Sequence, residues 1–120
     1  MQYLLLIYSS ENSEPGPGTP EGDAHYNAYM KYTEELQNKK LMLGANALQG
    51  ISTATTVRVR EGKTQTTDGP FAETKEQLGG YYLVDCKDLD EAIEWAAKIP
   101  SAKFGSVEVR PIWEMASVQE

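Results

Sequence analysis

Two side chains stand out as candidates for acid–base chemistry, His25 and Asp68. His25 is the only histidine in 120 residues, and imidazole is the side chain most often used as general acid or base. With one histidine and one cysteine, neither a multi-histidine nor a cysteine metal cluster can assemble from these residue types. As a base, His25 needs a carboxylate such as Asp68 or Glu73 within hydrogen-bond reach; as an ordinary surface histidine at a helix start it needs none. Asp68 opens the run Asp68-Gly69-Pro70-Phe71. One reading makes it a turn carboxylate that accepts a backbone N–H near Phe71. The other makes it a general base or substrate anchor at a pocket mouth, a role that requires burial.

The residues that follow extend the candidate site. Glu73, Lys75 and Glu76 form either a solvated charge run or, for Glu73 and Lys75, part of a substrate contact beside Phe71. Tyr26, Tyr29, Tyr81 and Tyr82 belong to a core or line a pocket, where a phenol can hydrogen-bond a small ligand; Tyr29 is the substrate-contact candidate among them. Gly79 and Gly80 fit a bulge or a close backbone approach better than a phosphate cradle, since no helix follows them directly. Cys86 reads as an inert buried thiol. Arg58, Arg60 and Arg110 either hold an anion or pair with Glu across strands.

These side chains must be positioned by a short set of elements. Tyr3 to Tyr8 is β-prone and apolar at every position, the mark of a strand covered on both faces. Ser9 to Gly18, with Pro15, Gly16, Pro17 and Gly18, reads as a mobile loop. Thr19-Pro20 starts a helix, hydroxyl cap then proline. Its expected packing face is Tyr26, Tyr29, Met30, Thr33 and Leu36; Lys39 and Lys40 suit its C-terminal end. Gly22 weakens the first turn, which allows the start to slip to Asp23. Leu41 to Leu48 is a second strand with poor formers at Gly44 and Asn46.

Ala54 to Arg60 and Lys63 to Thr67 flank a two-residue Glu61-Gly62 turn, a hairpin whose polar character puts it at a sheet edge or beyond one. Gly79 to Cys86 is the second strand apolar on both faces. Asp88 caps the next helix, with Glu91 completing a capping box. Leu89, Ala92, Ile93, Ala96 and Ile99 supply its buried face, and Pro100 ends it. Ser106 to Met115 is the last strand, held to an edge by Pro111.

Leaving the hairpin aside, the order is strand, helix, strand, strand, helix, strand. That is the split βαβ plan, an α+β ferredoxin-like βαββαβ fold with an inserted β-hairpin, and both helices fall on one sheet face. It makes the first strand and Gly79–Cys86 central neighbours, expected to be parallel. Both are apolar in two directions, yet two helices cover only one face. A second copy packing sheet against sheet resolves the mismatch, because each large apolar side chain left wet forgoes about 1.5–3 kcal/mol. A homodimer is therefore expected.

The chain reads as one domain over residues 1–120. A net charge of −7 without a basic cluster argues against direct contact with nucleic acid or an anionic membrane. No apolar run approaches the roughly 20 residues of a bilayer span. Leu4–Ile7 lacks a basic leader or cleavage site, so a cytoplasmic protein is the default.

The run from Asp68-Gly-Pro-Phe-Ala-Glu-Thr-Lys to Gly79-Gly-Tyr-Tyr-Leu-Val-Asp85 resembles the signature of DGPF-domain proteins, a branch of the YCII-related family. Tyr3–Tyr8, Thr53–Arg60 and Gly105–Met115 resemble the family's flanking segments. The resemblance implies a dimeric α+β barrel and a protein that binds or transforms a small organic molecule without metal or nucleotide cofactor. It implies a second option as well, a protein-interaction module beside an extracytoplasmic-function sigma factor. In the wider family a histidine near the first helix start and an aspartate form an acid/base pair, which maps onto His25 and Asp68. The family's Asp-Pro-Phe motif after the second helix is absent here, where the chain reads Pro100-Ser-Ala-Lys-Phe-Gly105.

Overall fold

A computed structural model describes residues 1–114. Its elements run β1 (Gln2–Ser9), α1 (Pro20–Asn38), β2 (Met42–Ala47), β3 (Thr55–Arg60), β4 (Lys63–Asp68), β5 (Gln77–Asp85), α2 (Leu89–Ala97) and β6 (Ser106–Pro111). Four strands form one sheet in the order β2-β5-β1-β6, while β3 and β4 pair only with each other. This is the expected ferredoxin-like plan with its inserted hairpin. The last strand stops at Pro111 rather than Met115, which lies outside the described residues.

One expectation about the sheet fails. The central strands β1 and β5 are antiparallel, with Leu5 opposite Tyr82 and Leu4 opposite Leu83, not parallel. The reason is in the connections. The helical crossover from β1 to β2 makes those two parallel, and the reversal through the arm then brings β5 back between them in the opposite sense.

Alternation along β1 sorts the side chains into two sets. Tyr3, Leu5 and Ile7 join Tyr82 and Val84 of β5 in a core closed by Tyr32 and Leu36 of α1 and by Ala92, Trp95, Ala96 and Ile99 around α2. Leu4 and Leu6, with Leu83 and Tyr81 opposite them, point to the other face, which carries no helix. They remain half-buried. Along that face Arg110 pairs with Glu108, which also accepts from the Tyr8 hydroxyl.

Both helices are rotated from their expected faces. On α1, Tyr32 replaces Tyr26 and Met30 in the core, and those two stand exposed. Tyr32 donates its hydroxyl to the Trp95 carbonyl at 2.8 Å, so the phenol has a partner where it is buried. On α2, Trp95 is buried while Leu89 and Ile93 are about half exposed. Tyr32 and Trp95 also pack edge-on with ring centroids 5.9 Å apart, so the two large aromatics bury each other between the helices.

The helix caps follow the sequence. Thr19 accepts the Gly22 N–H and Asp88 the Glu91 N–H, both at 2.9 Å, while Glu91 accepts the N–H of Lys87, one residue before the cap. Burial pushes the Cys86 thiol up to about 11, which suits an unreactive core position. Gly79 and Gly80 do serve a bulge, between Ile7 and Tyr8 of β1. A β-carbon at Gly80 would stand 2.8 Å from the Asn46 carbonyl oxygen.

Candidate active site

A cavity of about 620 Å³ opens between α1 and the ends of β1, β2 and β5. Its walls are Ile7, Ala45 and Met30 with Tyr26, Tyr29 and Tyr82, and its polar groups converge where the loop before α1 meets the helix. That volume and lining are typical of a small-molecule site.

His25 sits on the second turn of α1, where its ring is mostly buried. Its Nε2 lies 2.6 Å from Oε1 of Glu14, in the loop that the sequence left as a mobile connection. The loop is held by close contact. A β-carbon at Gly22 would stand 1.8 Å from the Gly16 carbonyl oxygen, so only glycine lets the loop lie against the helix. The helix accordingly starts at Pro20, and Gly22 is there for packing rather than as a weak first turn.

Three donors surround the Glu14 carboxylate. His25 Nε2 and the Ser101 hydroxyl, the latter at 2.7 Å, both reach Oε1, and the Ser9 hydroxyl reaches Oε2. Burial alone would push this carboxyl up. The hydrogen bonds from Ser101, Ser9 and His25 outweigh burial and hold it below the usual carboxylate range, so it is ionised near neutrality. Ser101, only 2% exposed, spends its one proton on Glu14, and the Tyr29 hydroxyl 2.5 Å away must therefore donate to it. Burial raises the Tyr29 phenol, keeping that proton in place.

An ionised carboxylate only accepts, so the hydrogen-bond pattern assigns the proton to Nε2. In the neutral ring Nδ1 is then the free base. Among the described residues nothing hydrogen-bonds Nδ1, and no buried side-chain nitrogen or oxygen lacks a partner, so Nδ1 is accessible. The ring is wedged edge-on between Tyr29 and Phe104, with centroids 5.3 and 5.5 Å away. A carboxylate that orients an imidazole whose other nitrogen is open is the arrangement of a general base.

The structure brings His25 and Tyr29 into this cavity and leaves Asp68, Phe71, Glu73 and Lys75 outside its walls. Asp68 ends β4 exposed, its carboxylate without a hydrogen bond among the described residues, so it neither pairs with His25 nor accepts the expected N–H near Phe71. Phe71 is 79% exposed, and Glu73 and Lys75 are exposed as well. Their segment acts through its backbone: the Lys75 carbonyl accepts from Ser10 at 2.8 Å, and Gly69, at φ 101°, closes the foot of the hairpin onto Ala54.

Glu14 and Ser101 were not legible as site residues. The one sequence signal was Gly22 inside a helix start, a costly choice that marks a close approach by another segment.

Over an alignment of 118 residues the chain is 37% identical to an uncharacterized protein of Rhizobium meliloti (strain 1021), covering 93% of this chain and 92% of that one. Among solved structures it is similar to 5-chloro-2-hydroxyhydroquinone dehydrochlorinase (TftG) from Burkholderia phenoliruptrix AC1100, in complex with 2,5-dihydroxybenzoquinone. That match has a TM-score of 0.55 at 16% identity over 98% of each chain, a likeness of fold. The pattern of the YCII-related domain spans residues 1–116, from the first strand through the last, and the chain therefore belongs to the YCII-related family.

Proposed function

We propose that this protein is a cytoplasmic, single-domain homodimer that binds a small hydroxylated aromatic or quinone-like molecule in the cavity beside α1. His25 would accept or return a proton through Nδ1 while Glu14 holds the ring. The observation that carries the reading is the 2.6 Å contact between Nε2 and Glu14 at the wall of a tyrosine-lined cavity. Acid–base chemistry of this kind asks for no metal or nucleotide. The ring class is favoured because Tyr26, Tyr29 and Tyr82 offer flat faces and hydroxyls together. A protein of like fold, TftG, was solved with 2,5-dihydroxybenzoquinone, which makes that compound the first probe.

The single histidine makes the test direct. Titrating the protein with 2,5-dihydroxybenzoquinone and simpler dihydroxybenzenes, while following the His25 imidazole by NMR, is expected to give saturable shifts that His25→Gln removes. A panel that leaves the imidazole untouched would sink the reading. The competing option, an interaction module beside an extracytoplasmic-function sigma factor, leaves the cavity without a role. It would be preferred if such a factor co-purifies while no ring compound reaches His25.

A further inference from the structure

The β3–β4 arm is built in a way that one chain cannot support. Every residue of both strands is exposed apart from half-buried Thr56, and the arm adds nothing to the main sheet. Its projection shows in the dimensions: the radius of gyration is 16.6 Å, against roughly 13–14 Å for a compact chain of this length. An isolated two-stranded hairpin is marginal at best in water. Yet β3 alternates valine with arginine over Val57–Arg60, as a strand does when one face is covered.

The register gives the arm two unlike faces. Val57 and Val59 stand on one with Thr66 and Thr64 opposite them; Arg58 and Arg60 stand on the other with Gln65 and Lys63. Both valines are 60% exposed, so the apolar stripe is uncovered by its own chain. The other face concentrates three of the chain's eleven basic residues in a protein of net charge −7. A surface that fits this arm needs apolar side chains and an excess of carboxylate, and the chain itself has both. Tyr26 and Met30 stand exposed on α1, and Glu21, Asp23, Glu34 and Glu35 line the same helix.

We propose that the arm is a clasp for a second copy of this chain. Val57 and Val59 seat on the partner's apolar surface, and Arg58, Arg60 and Lys63 meet its carboxylates. Charge complementarity selects this occupant over nucleic acid, which the acidic body repels. The inference rests on the homodimer proposed above and adds the exchanged arm to it.

The test mixes full-length chains grown in ordinary and in 15N medium, lets subunits exchange, and links amines to adjacent carboxylates with a zero-length carbodiimide. Mass spectrometry is expected to find Lys63 joined to a carboxylate of the other isotope. In sedimentation, Val57→Ser combined with Val59→Ser is expected to weaken the dimer at least tenfold; these side chains are exposed, so the fold is spared. A dimer with no inter-chain link from Lys63, or one of unchanged affinity in the double variant, overturns the clasp while leaving the homodimer standing. A monomer at micromolar concentration removes both. An arm that links only to a foreign protein assigns it to another partner and overturns the clasp.

Discussion

His25 Nε2 and Ser101 Oγ both meet one oxygen of Glu14, at 2.6 and 2.7 Å, so a single carboxylate fixes a ring on α1 and a hydroxyl beyond α2. His25→Gln removes the base and keeps the cavity. Turnover of a bound substrate is expected to fall about 10²–10⁴-fold, with binding affinity changed far less; steady-state kinetics beside calorimetry separates the two. Glu14→Gln is nearly isosteric but puts an N–H₂ group among three donors, so the tautomer of the ring is no longer fixed. It should lose turnover on a similar scale, and 15N spectra of the sole imidazole should show mixed tautomers. A variant as active as the parent would remove Glu14 from the chemistry.

Acid should loosen the same network, and the sign follows from Glu14. Its carboxyl titrates below its ordinary 4.5 in the folded chain, so folding favours the ionised form. That contribution is present in full above about pH 4.5 and is lost as pH falls through the lower folded value. Urea unfolding at a series of pH values is expected to show the parent losing stability relative to Glu14→Gln only on the acid side. Parallel curves across the series would show that another group carries the linkage.

Gly22 gives a prediction whose sign runs against helix propensity. An exposed glycine inside a helix usually gains about 1 kcal/mol on replacement by alanine. Here the added carbon would stand 1.8 Å from the Gly16 carbonyl oxygen, and backbone has to move. Gly22→Ala is expected to cost about 1–3 kcal/mol and to displace Glu14 from His25. Denaturation and the imidazole spectrum would report the two effects separately. A stabilised variant with an unchanged spectrum would mean that the loop does not lie on the helix.

The elements were legible because each carries its own local signal: Thr19-Pro20, Asp88, Glu61-Gly62 and the unbroken apolar run of β1. Helix faces were legible only in part. Periodicity places Tyr26 and Tyr32 on different sides of α1, but only the Trp95 carbonyl, 2.8 Å from Tyr32, decides which side is buried. The site was least legible. His25 drew notice as the only imidazole, but its partner lies in a Pro/Gly-rich loop whose path is set by a contact with Gly22. Ser101, which follows the proline that ends α2, is joined to Glu14 only by the fold. The conspicuous Asp68–Asp85 run divides in two: its exposed charges sit at the foot of the arm and along a connecting turn, while Gly79, Gly80 and Tyr82 near its other end reach the cavity.

The helix-free face of the sheet carries the last prediction. Leu4 lies opposite Leu83 across β1 and β5, and both remain half-buried, with Leu6 and Tyr81 beside them. If two such faces meet, each copy withdraws several large apolar side chains from water, at about 25 cal/mol per Å² of apolar area. Leu83→Glu puts a carboxylate at the centre of that contact, where it would be stripped of water with no cation opposite. In a lone chain the same carboxylate stays in contact with solvent and costs little. Sedimentation equilibrium is expected to show dissociation strengthened at least a hundredfold, about 3 kcal/mol, while circular dichroism of the separated chains stays that of the folded domain. A variant that unfolds would place Leu83 in the subunit's own core, and one that dimerises like the parent would leave the face wet and the two-sheet packing without support.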